Sequence, residues 1–242
     1  LKGIRIELEQ TIASYCKPGS LQLKETYPLA PYSTIIGMIH NGCGFKEYVD
    51  MDVSVQGSFS SLCNDLFKRY EYSPNIKYEE PKPDKRRRHQ GFFVNDGIKY
   101  GVVIGISYVE LLTDVTLLIH VVPKDQDMID TLYHGIYYPK EFLSLGRSED
   151  LVRINKVEVV DIFEETLKRK TVLKNNAYIP LKYNVVNNIG TVYRLNKKYT
   201  ITPKKTRYWE EQVEALYAPK DMELTIGTKV YKDSKGDLVF LA

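Results

Sequence analysis

The sequence predicts an α+β protein with a ferredoxin-like βαββαβ core, a protruding basic insertion and a smaller β-rich C-terminal lobe. Two observations carry the core. Apolar and polar residues alternate strictly over residues 3–9 and again over 53–59, the period of a strand with one dry face. With the basic insertion set aside, the elements run strand, helix, strand, strand, helix, strand, the order of a split βαβ unit. A third observation separates the end of the chain, because the helical signal fades from about residue 165. The expected organisation is therefore a core over residues 1–164, an insertion over about 72–100, and a β-rich lobe over 165–242.

Each element has a local reason. Residues 3–9 (Gly-Ile-Arg-Ile-Glu-Leu-Glu) form the opening strand, and Pro18-Gly19 marks a turn after it. In Tyr27-Pro28-Leu29-Ala30-Pro31-Tyr32-Ser33, two prolines hold the backbone extended. Ser33 is the expected N-cap of a short helix over 34–41, with Ile35, Ile36, Met38 and Ile39 as its apolar side and Asn41-Gly42 as its stop. Gly37 costs that helix about 1 kcal/mol against alanine, so it is expected to admit a close neighbour. Residues 72–95 are the least core-like, holding Pro74, Pro81, Pro83 and the run Lys85-Arg86-Arg87-Arg88-His89. Residues 100–109 and 115–122 read as two strands. Pro123-Lys124-Asp125 opens a second helix, whose Ile129, Leu132, Tyr133 and Ile136 make one buried stripe and which Pro139 closes. Residues 154–162 are a further strand. In the last third, 193–201 and a hairpin over 223–241 with Lys235-Gly236 at its turn supply the β-rich lobe.

Composition narrows the function by exclusion. The 242 residues are 43% hydrophobic and 27% charged, as in an ordinary globular protein, and the net charge of +3 is too small to name a nucleic-acid binder by itself. Three cysteines without paired short spacing argue against a disulfide framework and a structural zinc site. No apolar run approaches the roughly 18 residues of a membrane span, and Glu7 and Glu9 interrupt any apolar leader, so a reducing cytoplasm is expected. The sequence has no GxxxxGK(S/T) loop, HExxH or GxSxG. Gly42-Cys43-Gly44 lacks the flanking strand and helix of a dinucleotide fingerprint. Neither cofactor nor metal is expected.

Three features could carry chemistry. Lys82, Lys85, Arg86, Arg87, Arg88 and His89 lie in a proline-broken loop just before Phe92, Phe93 and Tyr100. Cations that neutralise phosphates beside aromatics that stack on bases are the ingredients of single-strand RNA recognition, although a solvated loop has the same composition. Tyrosine outnumbers phenylalanine 19 to 8, which suits a nucleotide-reading groove and equally suits strands. Gly146-Arg147-Ser148-Glu149-Asp150 lies between a helix and a strand. There glycine admits close backbone approach and arginine can grip a phosphate by two bonds. Ser148 and Asp150 could equally cap a turn, and Arg147 could pair with Glu149. Of the histidines, His40 and His134 fall on helices and His120 in a strand, leaving His89 the best placed for acid–base work on RNA.

Three stretches then draw a resemblance: Ala13-Ser14-Tyr15-Cys16-Lys17, the run from Thr26 through Tyr27-Pro28-Leu29-Ala30-Pro31-Tyr32-Ser33-Thr34 to Ile39, and Phe142-Leu143-Ser144-Leu145-Gly146-Arg147-Ser148-Glu149-Asp150. Together they resemble the Cas-five subunits of type I CRISPR effector complexes (Cascade), in the RAMP superfamily, and the type I-B-like branch in particular. The likeness runs from the first strand to about Ile162.

The resemblance implies an RRM-like fold with a thumb, formed here by residues 72–100, and a role in antiviral defence. In that role the subunit caps one end of the ribonucleoprotein by holding the repeat-derived 5′ handle of the guide RNA. It implies Lys17, Tyr27, Pro28, Tyr32, Ser33, Thr34, Gly146, Arg147 and Ser148 as handle contacts, and tilts Lys85, Arg86, Arg87, Arg88 and His89 towards RNA. The implied partners are Cas-seven backbone subunits and a Cas-eight large subunit, with target DNA met only through the complex. One branch of the family cuts repeat RNA with a tyrosine, lysine and histidine cluster containing an adjacent Lys-His pair. This chain departs from it, since His89 follows Arg88 and His134 follows Tyr133. The expectation is a binding subunit without a catalytic residue. The alternatives are a metal-independent endoribonuclease using His89 or Tyr32, and a scaffold whose basic loop binds protein.

Overall fold

The computed structural model describes residues 1–20, 23–80, 91–185, 190–203 and 207–242, with backbone alone for 71–76. The chain is α+β, with antiparallel sheet dominant and few helices. The strands are β1 (Lys2–Ala13), β2 (Leu23–Lys24), β3 (Met51–Ser58), β4 (Ser61–Lys77), β5 (Gly91–Asn95), β6 (Ile98–Pro123), β7 (Arg153–Thr166), β8 (Thr171–Val172), β9 (Asn176–Pro180), β10 (Thr191–Ile201), β11 (Arg207–Ala218), β12 (Glu223–Leu224), β13 (Lys229–Asp233) and β14 (Leu238–Val239). Helices α1 (Tyr32–Cys43) and α2 (Ile129–Tyr137) interrupt them. Two compact units result. The first holds Leu1–Tyr15, Tyr27–Leu62 and Leu112–Ala242; the second holds Cys16–Thr26 and Cys63–Leu111.

In the first unit the main sheet runs β10-β11-β9-β3-β6-β1-β7-β13-β14. Its centre, β3-β6-β1-β7, is antiparallel throughout, consistent with the ferredoxin-like expectation. Alternation explains the face that is covered. Ile4, Ile6 and Leu8 are at most 2% exposed and share one core with Ile35, Ile36 and Ile39 of α1 and Leu132 and Ile136 of α2. The helices can cross closely because Gly135 lies against Cys43, where an added Cβ would come within 2.4 Å of Sγ. The strands beyond residue 164 join this same sheet at both sides, β9 on β3 and β13 on β7. They bring a second apolar cluster centred on Leu173, Leu224 and Phe240.

Several local expectations are corrected. The first helix begins at Tyr32, with Pro31 as its N-cap and no side-chain capping bond, so Ser33 sits inside the first turn. Proline's fixed φ suits that position. The helix stops at Gly44, in the left-handed region at φ 69°, whose N–H and that of Phe45 return to Asn41 and His40 carbonyls. Gly37 is exposed with nothing within 4 Å of an added Cβ. The two strands expected over 100–122 are one, β6, with Asp114 at φ 49° between them.

In the second unit, β2, β4 and β5 pair with the first part of β6. Asp96 and Gly97, both at positive φ, turn β5 into β6.

Candidate nucleic-acid interface

The loop Gly146-Arg147-Ser148-Glu149-Asp150 is a latch on the end of β1. Asp150 is 2% exposed, and its Oδ2 accepts from the backbone N–H of Ser14 at 2.9 Å and of Arg147 at 2.9 Å. The Arg147 guanidinium closes on the same carboxylate, Nε at 3.1 Å from both oxygens and Nη2 at 2.6 Å from Oδ1, while Nη1 lies 3.1 Å from Glu149. Buried Gln10 donates Nε2 to the carbonyls of Leu145 and Asp150, both at 2.9 Å, and accepts at Oε1 from the Tyr15 hydroxyl at 2.6 Å. Burial, with the Asp150 charge beside it, pushes the Tyr15 phenol well above its ordinary range. Gly146 is required here. Its φ is 111°, and an added Cβ would stand 2.6 Å from the Ser14 carbonyl oxygen. The close approach that glycine permits is thus to the protein's own backbone.

Ser14-Tyr15 also receives the Tyr27 segment, since Tyr27 N–H donates to the Tyr15 carbonyl at 2.8 Å. Two stretches far apart in sequence, 27–34 and 146–150, therefore meet the same strand end. Tyr27 and Pro28 are half-buried, as are Ser33 and Thr34, and Ser148 is exposed. Tyr32 differs from them. It is fully buried and stacks edge-on to Tyr178, and burial drives its phenol far above the ordinary value. Its place is in the core, so neither the expected RNA contact nor proton transfer to RNA is open to this side chain. Five tyrosines form one packed group here: Tyr32, Tyr178 and Tyr217, with Tyr27 5.4 Å from Tyr193. For these, the tyrosine excess is structural.

The other histidines in the first unit are accounted for. His40 is half-buried between Phe45 and Tyr48, with Val49 backbone atoms 3.4 Å from Nε2; burial lowers its pKa despite that bond. His120 is fully buried with Nε2 3.0 Å from Asp233. His134 is exposed on α2. Among the described residues, no three His, Cys, Asp or Glu side chains gather as metal ligands.

The second unit has a different surface. Lys17 Nζ lies 3.0 Å from Glu25, and Lys17 N–H donates to the Glu25 carbonyl. Lys24 Nζ stands 4.3 Å over the Phe67 ring and Lys99 Nζ 4.5 Å over Phe92, which is 46% exposed and 5.0 Å from Tyr78. Phe93 and Tyr100 stack on each other at 5.4 Å. Lys82, Lys85, Arg86, Arg87, Arg88 and His89 lie outside the described residues. Sequence reasoning missed Gln10 as the clasp of the latch and Lys24–Phe67 as a pair. Neither has a short-range signal. The Asn95-Asp96-Gly97 turn had one, a two-residue hairpin sequence ahead of an apolar strand.

The first unit is thus an antiparallel α+β sheet with a loop latched to the end of its first strand, and the second is a β-rich unit with cation–aromatic pairs. Residues 3–215 match the family described as CRISPR-associated protein (Cas_Cas5), and the chain belongs to that family, a Cas5-like member of the RAMP group. Among solved structures, it is similar to a chain of a CRISPR RNA-guided surveillance complex. The two share 16% identity over 91% of each chain with a TM-score of 0.51, a likeness of fold. A CRISPR protein from Archaeoglobus fulgidus aligns over 100% of this chain and 99% of its own at 10% identity and a TM-score of 0.43. No curated protein matches the chain in sequence.

Proposed function

We propose that this chain is a non-catalytic subunit of a type I, I-B-like CRISPR effector complex, where it grips the 5′ repeat-derived handle of the guide RNA and caps the assembly in antiviral defence. The second unit is the thumb in this reading. The observation that carries it is the set of lysine–aromatic pairs there, Lys24 on Phe67 and Lys99 on the exposed Phe92. A base can stack on such a ring while the ammonium neutralises the adjoining phosphate. Lys17, Tyr27, Pro28, Ser33, Thr34, Gly146, Arg147, Ser148 and the run 85–89 are the further handle contacts in this reading, and Tyr32 supports its neighbours from the core. Cas-seven and Cas-eight subunits are the partners, and the cytoplasm is the setting. Family membership supports assembly with RNA, and the burial of Tyr32 favours holding over cutting.

The test is incubation of the full chain with labelled CRISPR repeat RNA in chelator, with cleavage and retention read on one gel. Retention of intact RNA, weakened in Phe92→Ala, is expected. Specific cleavage would replace this reading with that of a metal-independent endoribonuclease and make His89 the first residue to substitute. Equal retention of handle and scrambled RNA would overturn handle recognition.

A further inference from the structure

A second basic stretch, Lys168-Arg169-Lys170 with Lys174, lies in the first unit, outside the stretches that carry the proposed handle contacts. It runs through β8 and faces the β13–β14 hairpin, and the two enclose a pocket of about 330 Å³. Arg169, Lys170, Lys174 and Lys232 line it against one carboxylate, Asp237. That carboxylate is already held on both sides, Oδ2 by Arg5 Nη2 at 2.8 Å and Oδ1 by Lys174 Nζ at 2.8 Å. Burial alone would raise the Asp237 pKa, but these hydrogen bonds outweigh it and keep the group ionised below the usual carboxylate range. Its charge is thus neutralised from within the protein by Arg5 and Lys174.

Arg169, Lys170 and Lys232 are the cations left to meet a ligand. Lys170 and Lys232 pair with Glu223 and Glu165, each at 2.8 Å, and Arg169 makes no ion pair among the described residues. The exposed Lys170–Glu223 pair is of the weak kind that exchanges readily for a stronger anion. Arginine's planar fork matches two phosphate oxygens at once. The described lining includes no aromatic ring, so nothing there stacks on a base. This is the reverse of the second unit, where Lys99 is paired with the exposed ring of Phe92.

We infer that this pocket is a phosphate seat for a nucleic-acid backbone, engaged without regard to base sequence. Its room suits one phosphate with its sugar, and Lys170, 69% exposed, extends the positive rim towards a neighbouring phosphate. The seat is independent of handle recognition by the second unit, and each can fail alone.

The experiment is fluorescence anisotropy of the full chain with a mixed-sequence, handle-free single-stranded RNA across a salt series. For Arg169→Ala with Lys170→Ala, the slope of log affinity against log salt should fall by about 1.4, at roughly 0.7 for each phosphate that is no longer neutralised. The ratio of handle to mixed-sequence affinity should stay at the wild-type value, whereas Phe92→Ala should change that ratio. Arg169→Ala alone removes a side chain without an ion pair, so it keeps the test open if the double variant is poorly folded; its slope should fall by about 0.7. An unchanged slope in a folded variant overturns the seat. In a parallel arm, inorganic phosphate is followed by phosphorus NMR. Broadening that depends on Arg169, together with an unchanged RNA slope, would overturn the polynucleotide in favour of a free anion.

Discussion

The latch of the first unit and the surface of the second use the same residue types in opposite ways. In the first, polar groups are turned inward. Asp150, Gln10 and Ser14 are at most 2% exposed, and the Arg147 guanidinium is clasped by Asp150 and Glu149. In the second, the lysines of the cation–aromatic pairs sit over rings at the surface, and large apolar side chains such as Tyr70, Val94 and Ile106 are more than half exposed. A buried polar network is stable only when its internal pairing is complete, and each unmade bond is costly. An exposed cation–aromatic pair contributes little to folding and leaves its ring and charge available to a ligand. The difference teaches where to look for each kind of effect. Substitutions in the latch should register as stability, and those in the second unit as binding.

The largest expected effect is at the latch. Asp150→Ala removes the acceptor for two backbone N–H groups and three guanidinium contacts, which should destabilise the fold by about 3 kcal/mol. Chemical denaturation measures it; a loss below about 0.5 kcal/mol, the level of an ordinary surface substitution, would erase the contrast between the units. Gly146→Ala comes next, at about 2 kcal/mol, because alanine is strained at φ 111° and its Cβ collides with the Ser14 carbonyl. Melting of both variants without RNA separates this from any role in binding.

Much of this was legible in the sequence, for identifiable reasons. The alternation of residues 3–9 located β1 because one face of that strand is fully dry and the other charged. Ile129, Leu132 and Ile136 located α2 for the same reason at helical period. Arg147 was legible as a residue of consequence and ambiguous in role, since a guanidinium able to grip a phosphate can equally grip Asp150. Three-residue spacing does not say which. Tyr32 misled because its surroundings are set by Tyr178, far along the chain, and no local pattern reports a contact that distant. The start of α1 at Tyr32 was hidden by Ser33, a good capping residue that arrives after Pro31 has already supplied the geometry.

The comparison sharpens in the second unit. Phe92→Ala should leave the folded state within about 0.5 kcal/mol of wild type, as expected of an exposed position. It should weaken handle RNA by about 1–3 kcal/mol if one base stacks on that ring. Parallel denaturation and RNA titration on one preparation read both numbers. A stability loss matching the binding loss would mean that the ring is structural and that the two units are not so different after all.

The smallest effect tests whether the inward-turned chemistry of the first unit has a pH signature. His40 is held towards its neutral form by burial, against the opposing bond to Val49. The unfolded chain takes up a proton near pH 6.5 that the folded chain refuses until lower pH, so stability falls as pH drops below about 6.5 and levels off once the folded histidine also titrates. The carboxylates Asp52, Asp233 and Asp237 are all depressed by their cationic and hydrogen-bonding partners. Their contributions hold above their unfolded values near pH 3.9 and are lost only as pH falls further, so the two windows do not overlap. Denaturation midpoints between pH 7 and 5 should therefore slope downwards in the wild type and flatten in His40→Gln. A slope that persists in His40→Gln would assign the titration to a group other than His40.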